Sequence, residues 1–421
     1  MAESCLELPL SSSECCIYMI PTRLRKLNEE AYTPQAISIG PFHHGTKSLE
    51  SMEKLKLKYF QRFQQRIEDF NLLEILVNAI KLNEKRVRSC YAETIKFSSD
   101  DFVKLILVDG IFIIELFYEL CFEGWNGVVI ENHILLNPIL LQTIILDLRL
   151  LENQLPFFAL EILFSLAYAP DDVPVHHSLI PSIPSFTSLA IMVFEGIQQQ
   201  EFPRNLREQP IRHFVDLTKA FLFPSSRRVL DESNDLPSAT HLYSASQLDE
   251  AGVKFKVSSS KCLLDLKFTN ETLEIPRIDL YNDTETIYRN VIAFEQCHYP
   301  RDSHLTDYIV LLTFLINTPK DADLLIRRGI IINWLPNSNS VASFINNMGM
   351  YIVYDSRKCA YRGLFRDLNA FYRNTKHTWK ATLKRDYFST PWKIASTTAA
   401  ITLLLLTLIQ AICSIIQVVK M

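Results

Sequence analysis

Between Ile394 and Val419 the chain carries no Asp, Glu, Lys or Arg. The run, IASTTAAITLLLLTLIQAICSIIQVV, is followed only by Lys420 and Met421. A helix rises about 1.5 Å per residue, so about 20 apolar residues cross a hydrocarbon core of roughly 30 Å. The segment is expected to be one C-terminal transmembrane helix, with the lipid bilayer as its partner and the rest of the chain on one side. A lipid-anchor signal would need a polar spacer of about 8–12 residues before its apolar tail. Here the small residues and the apolar run abut.

The flanks speak to orientation. Lys376, Lys380, Lys384, Arg385 and Lys393 precede the span against one acid, Asp386, and Lys420 alone follows it. Basic flanks stay on the cytosolic side, which favours a cytosolic domain, with the plasma membrane as the expected location. The stretch MAESCLELPLSSSECCIYMIP lacks a basic start and a sustained apolar core, so no signal peptide is expected and insertion follows translation. Two sequons, Asn270-Glu271-Thr272 and Asn282-Asp283-Thr284, point instead to an extracellular or lumenal domain. Lys376, Lys380 and Lys384 share a helical face beside the bilayer. They are either a solvated face or, together with Arg385 and Lys393, a lipid contact worth about 1 kcal/mol per cation.

A net charge of −4 gives no nucleic-acid footprint. Only 10 glycines occur in 421 residues, where about 7% is usual, which argues against Gly-rich phosphate loops. The nine cysteines form no CxxC pair and no zinc spacing. They suit buried thiols in a reducing compartment better than a disulfide framework. No cofactor and no metal are expected.

Helix dominates the pattern. Met52, Leu55, Tyr59, Phe63, Ile67 and Phe70 recur at three- and four-residue spacing, predicting one amphipathic helix. Asp100–Phe122 is apolar nearly all round and reads as a central helix. Asn137–Ala169 reads as two helical pieces broken at Pro156. Pro181–Gln200, Ile211–Phe223, Thr284–Glu295, His304–Asn317, Ala322–Arg328 and Asn339–Asn347 are shorter helical candidates, and Ser356–Lys384 a long basic one. Val253–Val257, Leu263–Thr269 and Leu273–Asp279 are strand-like, the last two forming a hairpin around Asn270-Glu271. The fold class is mainly α with a small antiparallel β element. The expected order is a disordered tail (1–16), a helical region (17–224) and a mobile loop (225–237). A hairpin and helices of the same domain (238–355), a basic juxtamembrane helix (356–393) and the span (394–419) follow.

These segments, in order, also carry a resemblance. IYMIPTRLR, AISIGPFHHG, DGIFIIELF, DLRLLENQLPFF, AGVKFK, LLDLKFTNETLEIP, NVIAFEQCH, LINTPKDADLLIRRGII and WKATLKRDYFSTPW resemble successive signatures of a plant family. It is the domain-of-unknown-function 247 family of membrane proteins. Ile106 and Ile111 stand where relatives often have Met and Cys, and Ser389-Thr390-Pro391 replaces the usual Asn-Pro. The resemblance implies a plant source, a helical domain and one C-terminal span. It implies no enzyme. Some grass relatives act in pollen–stigma recognition, so the resemblance implies a recognition role with a protein partner.

The chain has no GxSxG, HExxH, Walker A, dinucleotide or kinase signature. The candidate polar site is drawn from polar residues in apolar segments. His43 and His44 follow a turn and, being adjacent, point apart. Asp109 and Glu115 lie about 120° apart on the most apolar helix. As buried carboxylates they need cations, and Arg149 is one candidate. Glu152, Asn153 and Gln154 precede Pro156 at a helix junction. Glu295, Cys297, His298, His304 and Asp307 form the sole metal-like cluster, with no closed zinc spacing. Two readings follow. One is a non-enzymatic recognition module. The other is a membrane-tethered, hydrolase-like enzyme with a polar pocket around His43, His44, Asp109 and Glu152.

Overall fold

The computed structural model describes residues 14–66, 70–123, 134, 137–168, 185–198, 210–222, 237–260, 262–300, 302–374 and 391–419. The helices are α1 (Thr22–Arg25), α2 (Glu50–Arg66), α3 (Phe70–Ser89), α4 (Ser99–Tyr118), α5 (Pro138–Asp147), α6 (Phe157–Ala167), α7 (Phe186–Gln198) and α8 (Phe214–Leu222). After α9 (Ala245–Glu250) come strands β1 (Lys254–Ser258), β2 (Lys267–Thr269), β3 (Thr272–Pro276) and β4 (Ile278–Leu280). Then follow α10 (Thr284–His298), α11 (His304–Leu315), α12 (Pro319–Arg327), β5 (Ile331–Asn333), α13 (Ser338–Met348) and α14 (Arg362–Arg373), and a last helix, Pro391–Val419. The fold is mainly α with a small β element, as the patterning predicts. The expected loop at 225–237 and the juxtamembrane cations Lys376, Lys380, Lys384 and Arg385 lie outside the described residues, Pro237 excepted.

The chain falls into two compact units. Unit 1 takes residues 1–230, 281–309 and 347–354, and unit 2 takes 231–280, 310–346 and 355–421.

In unit 1, α4 is the central helix because it is apolar on every side. Ser98 caps it, its hydroxyl accepting from the Asp101 N–H. Helices α2, α3, α6 and α7 pack around it. Gly110 permits the approach of α6, for a β-carbon there would meet Leu163 Cδ1 at 2.5 Å. The α4 run ends in a wider π turn, Glu119–Glu123. Phe117, Phe157, Phe186, Phe194 and Phe214 form the aromatic heart, Phe157 and Phe214 edge-to-face at 4.9 Å.

Three boundaries differ from the sequence reading. The 52–70 stripe is not one helix: α2 ends at Arg66 and Phe70 opens α3. The break at Pro156 is wider than a kink, since 148–156 is non-helical between α5 and α6. Of the long basic helix, 362–373 is helical, and 375–390 lies outside the described residues.

In unit 2 a three-stranded sheet runs β1-β3-β2. The expected hairpin is present: β2 and β3 pair antiparallel, with Phe268 opposite Leu273. Asn270 and Glu271 both have positive φ (50° and 63°), the backbone of a type I′ turn. β1 instead joins β3 in parallel, pairing Phe255 with Leu273 and Val257 with Ile275. Pro276 has no N–H to continue the ladder. The chain therefore leaves that sheet, and β4 pairs in parallel with β5, which three residues are too few to reveal by periodicity. The other signals are local. Ser244 and Gln247 form a capping box on α9, and Thr318 and Asp321 form one on α12.

The last helix starts with Pro391 in its first turn. Its segment Pro391–Cys413 has mean hydropathy 1.8, with none of it buried, and is long and apolar enough to cross a membrane. Its threonines bond back within the helix, Thr398 to Ile394 O (2.7 Å) and Thr407 to Leu403 O (2.8 Å).

Candidate functional site

The segment Gln35–Gly40 is irregular, with bends at both ends, and no strand pairs with it among the described residues. Its buried amides still need acceptors. Side chains supply them. Asp147, the last residue of α5, takes the N–H groups of Gln35 (3.0 Å), Ala36 (2.7 Å) and Ile37 (2.8 Å). Asn153 Oδ1 accepts from Ile39 N–H at 2.7 Å, and its Nδ2 donates to the Ile37 and Asp147 carbonyls, each at 3.0 Å. Asp109 Oδ2 accepts from Gly40 N–H at 2.9 Å. Gly40 sits at φ +73°, and a β-carbon there would lie 2.5 Å from the Gln154 carbonyl oxygen.

Asp109 is fully buried, and its cation is Lys56, not Arg149. Lys56 Nζ donates to Asp109 Oδ1 (2.5 Å) and the Ser38 carbonyl (2.8 Å), and pairs with Glu53 (2.7 Å). Burial works against its charge, but the carboxylates of Asp109 and Glu53 raise its pKa above the usual lysine value. Burial also pushes the Asp109 carboxyl up, against the pull of Lys56. Glu115 pairs with Arg66 at 2.6 Å and accepts from the Tyr168 hydroxyl. Arg149 pairs with neither acid. Its guanidinium lies 4.9 Å above the Phe194 ring, and burial lowers its pKa to about 10.

The Glu152-Asn153-Gln154 triplet is a junction. Gln154 Nε2 donates to the Leu148 and Leu150 carbonyls (both 2.7 Å), and its Oε1 accepts from Phe214 N–H (2.9 Å), tying α5, α6 and α8 together. Glu152 Oε1 accepts from Ile20 N–H at 2.5 Å. Its Oε2 meets Arg25 and His43 Nε2, the latter at 3.2 Å. Burial disfavours this carboxylate, but the His43, Arg25 and Ile20 bonds outweigh it and hold its pKa below the ordinary value. His44 turns elsewhere, 3.8 Å from Glu53.

The metal-like cluster disperses. Glu295 caps α11, accepting from Leu305 N–H (3.0 Å) and Thr306 N–H (2.9 Å). Burial raises its pKa. His298 Nδ1 faces the Tyr18 hydroxyl at 2.9 Å, and His304 pairs with Asp302 at 2.8 Å. Among the described residues no three His, Cys, Asp or Glu side chains could hold a metal ion. Of the predicted residues, the structure brings together His43 with Glu152, and Asp109 with Asn153 along one segment.

Sequence reasoning missed Lys56, Asp147, Arg25 and Asn290. Lys56 had a signal: it stands four residues after Met52 and three before Tyr59, on the buried face of α2. Asn290 had none. It accepts from Leu151 N–H (2.9 Å) and donates to the Ala31 carbonyl (2.7 Å), closing the braid across unit 1.

This braid joins the same stretches that carry the family signatures. The family described as plant protein of unknown function, DUF247, matches residues 17–406, and the chain belongs to it. A UPF0481 protein of Arabidopsis thaliana is 28% identical, over 96% of this chain and 87% of its own. A second, putative UPF0481 protein of the same plant is 23% identical, over 94% and 89%. No solved structure matches.

Proposed function

We propose that this is a membrane-anchored, non-enzymatic recognition module whose large domain binds a protein partner. One observation carries the reading: a turn of unit 1 presents apolar side chains to solvent on a constrained backbone. Met350, Tyr351 and Val353 are exposed, Val353 to 80%. Tyr351 is left-handed at φ +61°, a conformation a bulky residue keeps only when its surroundings enforce it. Gln296 pins the same turn two residues on, its Oε1 accepting from Val353 N–H (2.8 Å) and its Nε2 donating to the Val353 carbonyl (3.2 Å). Affinity purification from the native membrane, with mass spectrometry, compares the wild type with Tyr351→Asp and Val353→Asp. A partner lost in both variants supports the reading, and an unchanged set of partners overturns it.

The alternative, a hydrolase-like enzyme, draws on the contact between His43 and Glu152. Both Glu152 oxygens are already engaged and its acidity is increased, which leaves a poor general base.

The anchor is the last helix, with Lys393 and the preceding cations facing anionic lipid and the domain facing the cytosol at the plasma membrane. Truncation after Tyr387 is expected to release the protein, and resistance of that variant to alkaline carbonate extraction would break the single-anchor reading. Asn270 and Asn282 are both exposed at turns, so a lumenal or extracellular domain would offer both for glycosylation. The cytosolic reading expects no mobility shift with glycosidase. A shift lost in Asn270→Gln, Asn282→Gln reverses the sidedness.

A further inference from the structure

Cys16 and Cys90 face each other where the N-terminal segment meets the end of α3. Ile17 and Tyr91 form an isolated parallel bridge, which places Cys16 beside Cys90. The N–H groups of Cys16 and Ile17 both donate to the Cys90 carbonyl at 2.9 Å, and Ala92 N–H donates to the Ile17 carbonyl at 2.9 Å. Backbones this close put two α-carbons within the span a disulfide bridges. Both cysteines are buried and free, Cys16 at 3% exposure and Cys90 at 1%. The Cys90 thiol also donates to the Arg86 carbonyl at 3.4 Å, one turn back along α3. His213 Nε2 lies 3.0 Å from the Cys16 carbonyl oxygen, which fixes the other side of the segment.

We propose that Cys16 and Cys90 are a cross-linking dithiol, closed into a disulfide by exchange with a small-molecule disulfide. The balance is simple. One cysteine thiolate attacks the oxidant, forming a mixed disulfide and releasing one thiol. The second cysteine thiolate attacks the protein-side sulfur of that bond, and the second thiol leaves. Two cysteine protons pass to the two released thiols, and the oxidant is reduced by two electrons.

The neighbouring Cys90 thiol, and then burial, keep the Cys16 thiol protonated in the closed arrangement. Exchange therefore proceeds when the segment around Cys16 lifts from α3, which breaks the bridge bonds and the His213 contact and uncovers Cys16 and Ile17. The product closes a loop of roughly 75 residues, a length at which a cross-link strongly restricts the unfolded chain. It also fixes the segment bearing Ile20 and Arg25, the two groups that hold Glu152.

The test uses the full chain in detergent. It is incubated with oxidised glutathione, denatured, alkylated and digested without reductant, then mapped by mass spectrometry. The expected product joins Cys16 to Cys90, and the oxidised protein melts higher than the reduced one by on the order of 5 °C. Cys90→Ala is expected to remove that difference, while the peptide map of the wild type reads the bond whether or not the variant folds. Recovery of Cys16 and Cys90 both alkylated overturns the proposal. So does a bond from Cys16 to Cys15 or Cys297, or equal melting of the oxidised and reduced chains.

Discussion

Asp147 in unit 1 and Asp321 in unit 2 perform the same task. Each is almost wholly buried, and each accepts from backbone N–H groups of a neighbouring segment. Asp147 takes those of Gln35, Ala36 and Ile37, and Asp321 those of Ser246 and Thr318, plus the Thr318 hydroxyl. Their acidities diverge. Burial pushes Asp147 above the ordinary 3.8 despite its three donors, whereas at Asp321 the bonds from Ser246, Ser244 and Thr318 overcome burial and lower the value. The sign of each effect on stability follows. Asp321 contributes above the unfolded value and loses its contribution as pH falls through the folded one. The Asp147 contribution is present in acid and is lost as pH rises through its raised value. The donors differ: Asp147 accepts from three backbone amides alone, whereas at Asp321 the hydroxyls of Ser244, Ser246 and Thr318 add to the amides and tip the balance against burial.

The sharpest way to break this contrast is to strand a charge in unit 1. Lys56→Met leaves the Asp109 carboxyl buried without its cation, and is expected to cost about 3–5 kcal/mol in chemical denaturation. Adding Asp109→Asn should restore part of the loss. A cost below about 1 kcal/mol for the single variant would show that the braid is far more accessible to water than its burial implies.

Next come the two aspartates themselves. Asp147→Ala orphans the buried N–H groups of Ala36 and Ile37, beside that of the exposed Gln35, and is expected to cost about 3 kcal/mol. Asp321→Ala removes a capping contact and is expected to cost about 1–2 kcal/mol. Hydrogen exchange locates each effect, at residues 35–37 for the first and at 246 and 318 for the second. Equal costs would remove the distinction between the units.

The acid response of unit 1 gives a smaller effect. His213 is buried, and burial lowers its pKa from 6.5 to about 3, so the folded state holds it neutral. An unfolded chain takes up that proton below pH 6.5 and the folded one does not. Stability from this group is complete above the unfolded value and declines as pH falls toward the folded one. Between pH 7 and pH 5 the loss is about 2 kcal/mol, and His213→Gln should flatten it. A slope unchanged by that substitution would move the acid sensitivity elsewhere.

The smallest expected effect lies in unit 2 and has the opposite sign. Glu271 holds φ +63° at the hairpin tip, where glycine is unstrained. Glu271→Gly should stabilise by about 0.5–1 kcal/mol or cost nothing, read as a shift in melting temperature.

Fold class was legible because three- and four-residue apolar spacing and the Asn270-Glu271 turn are local signals. The parallel pairings of β1 with β3 and of β4 with β5 were not, because register between distant three- to five-residue strands leaves no periodic trace. The candidate residues were legible as polar groups in apolar surroundings, but their roles were not. Asp109 calls for a cation, with Arg149 as one candidate, and only the three-dimensional path of α2 brings Lys56 to it. Glu295 looked like part of a metal cluster, yet its oxygens point at the start of α11, a role that needs the turn between two helices to be known. The same holds for Asp147, whose partners lie more than a hundred residues earlier in the chain.

The Gln296 amide has one more consequence. It takes the place of a neighbouring strand for Val353, so an exposed turn has both of its central hydrogen bonds made before any partner arrives. The Val353 amide should exchange with deuterium slowly for a residue whose side chain is in solvent. A partner docking there would restrict little that is still free, so association forfeits less conformational entropy than binding to a loose loop. Changes to Met350, Tyr351 or Val353 would then act through contact lifetime, appearing in the dissociation rate far more than in the rate of encounter.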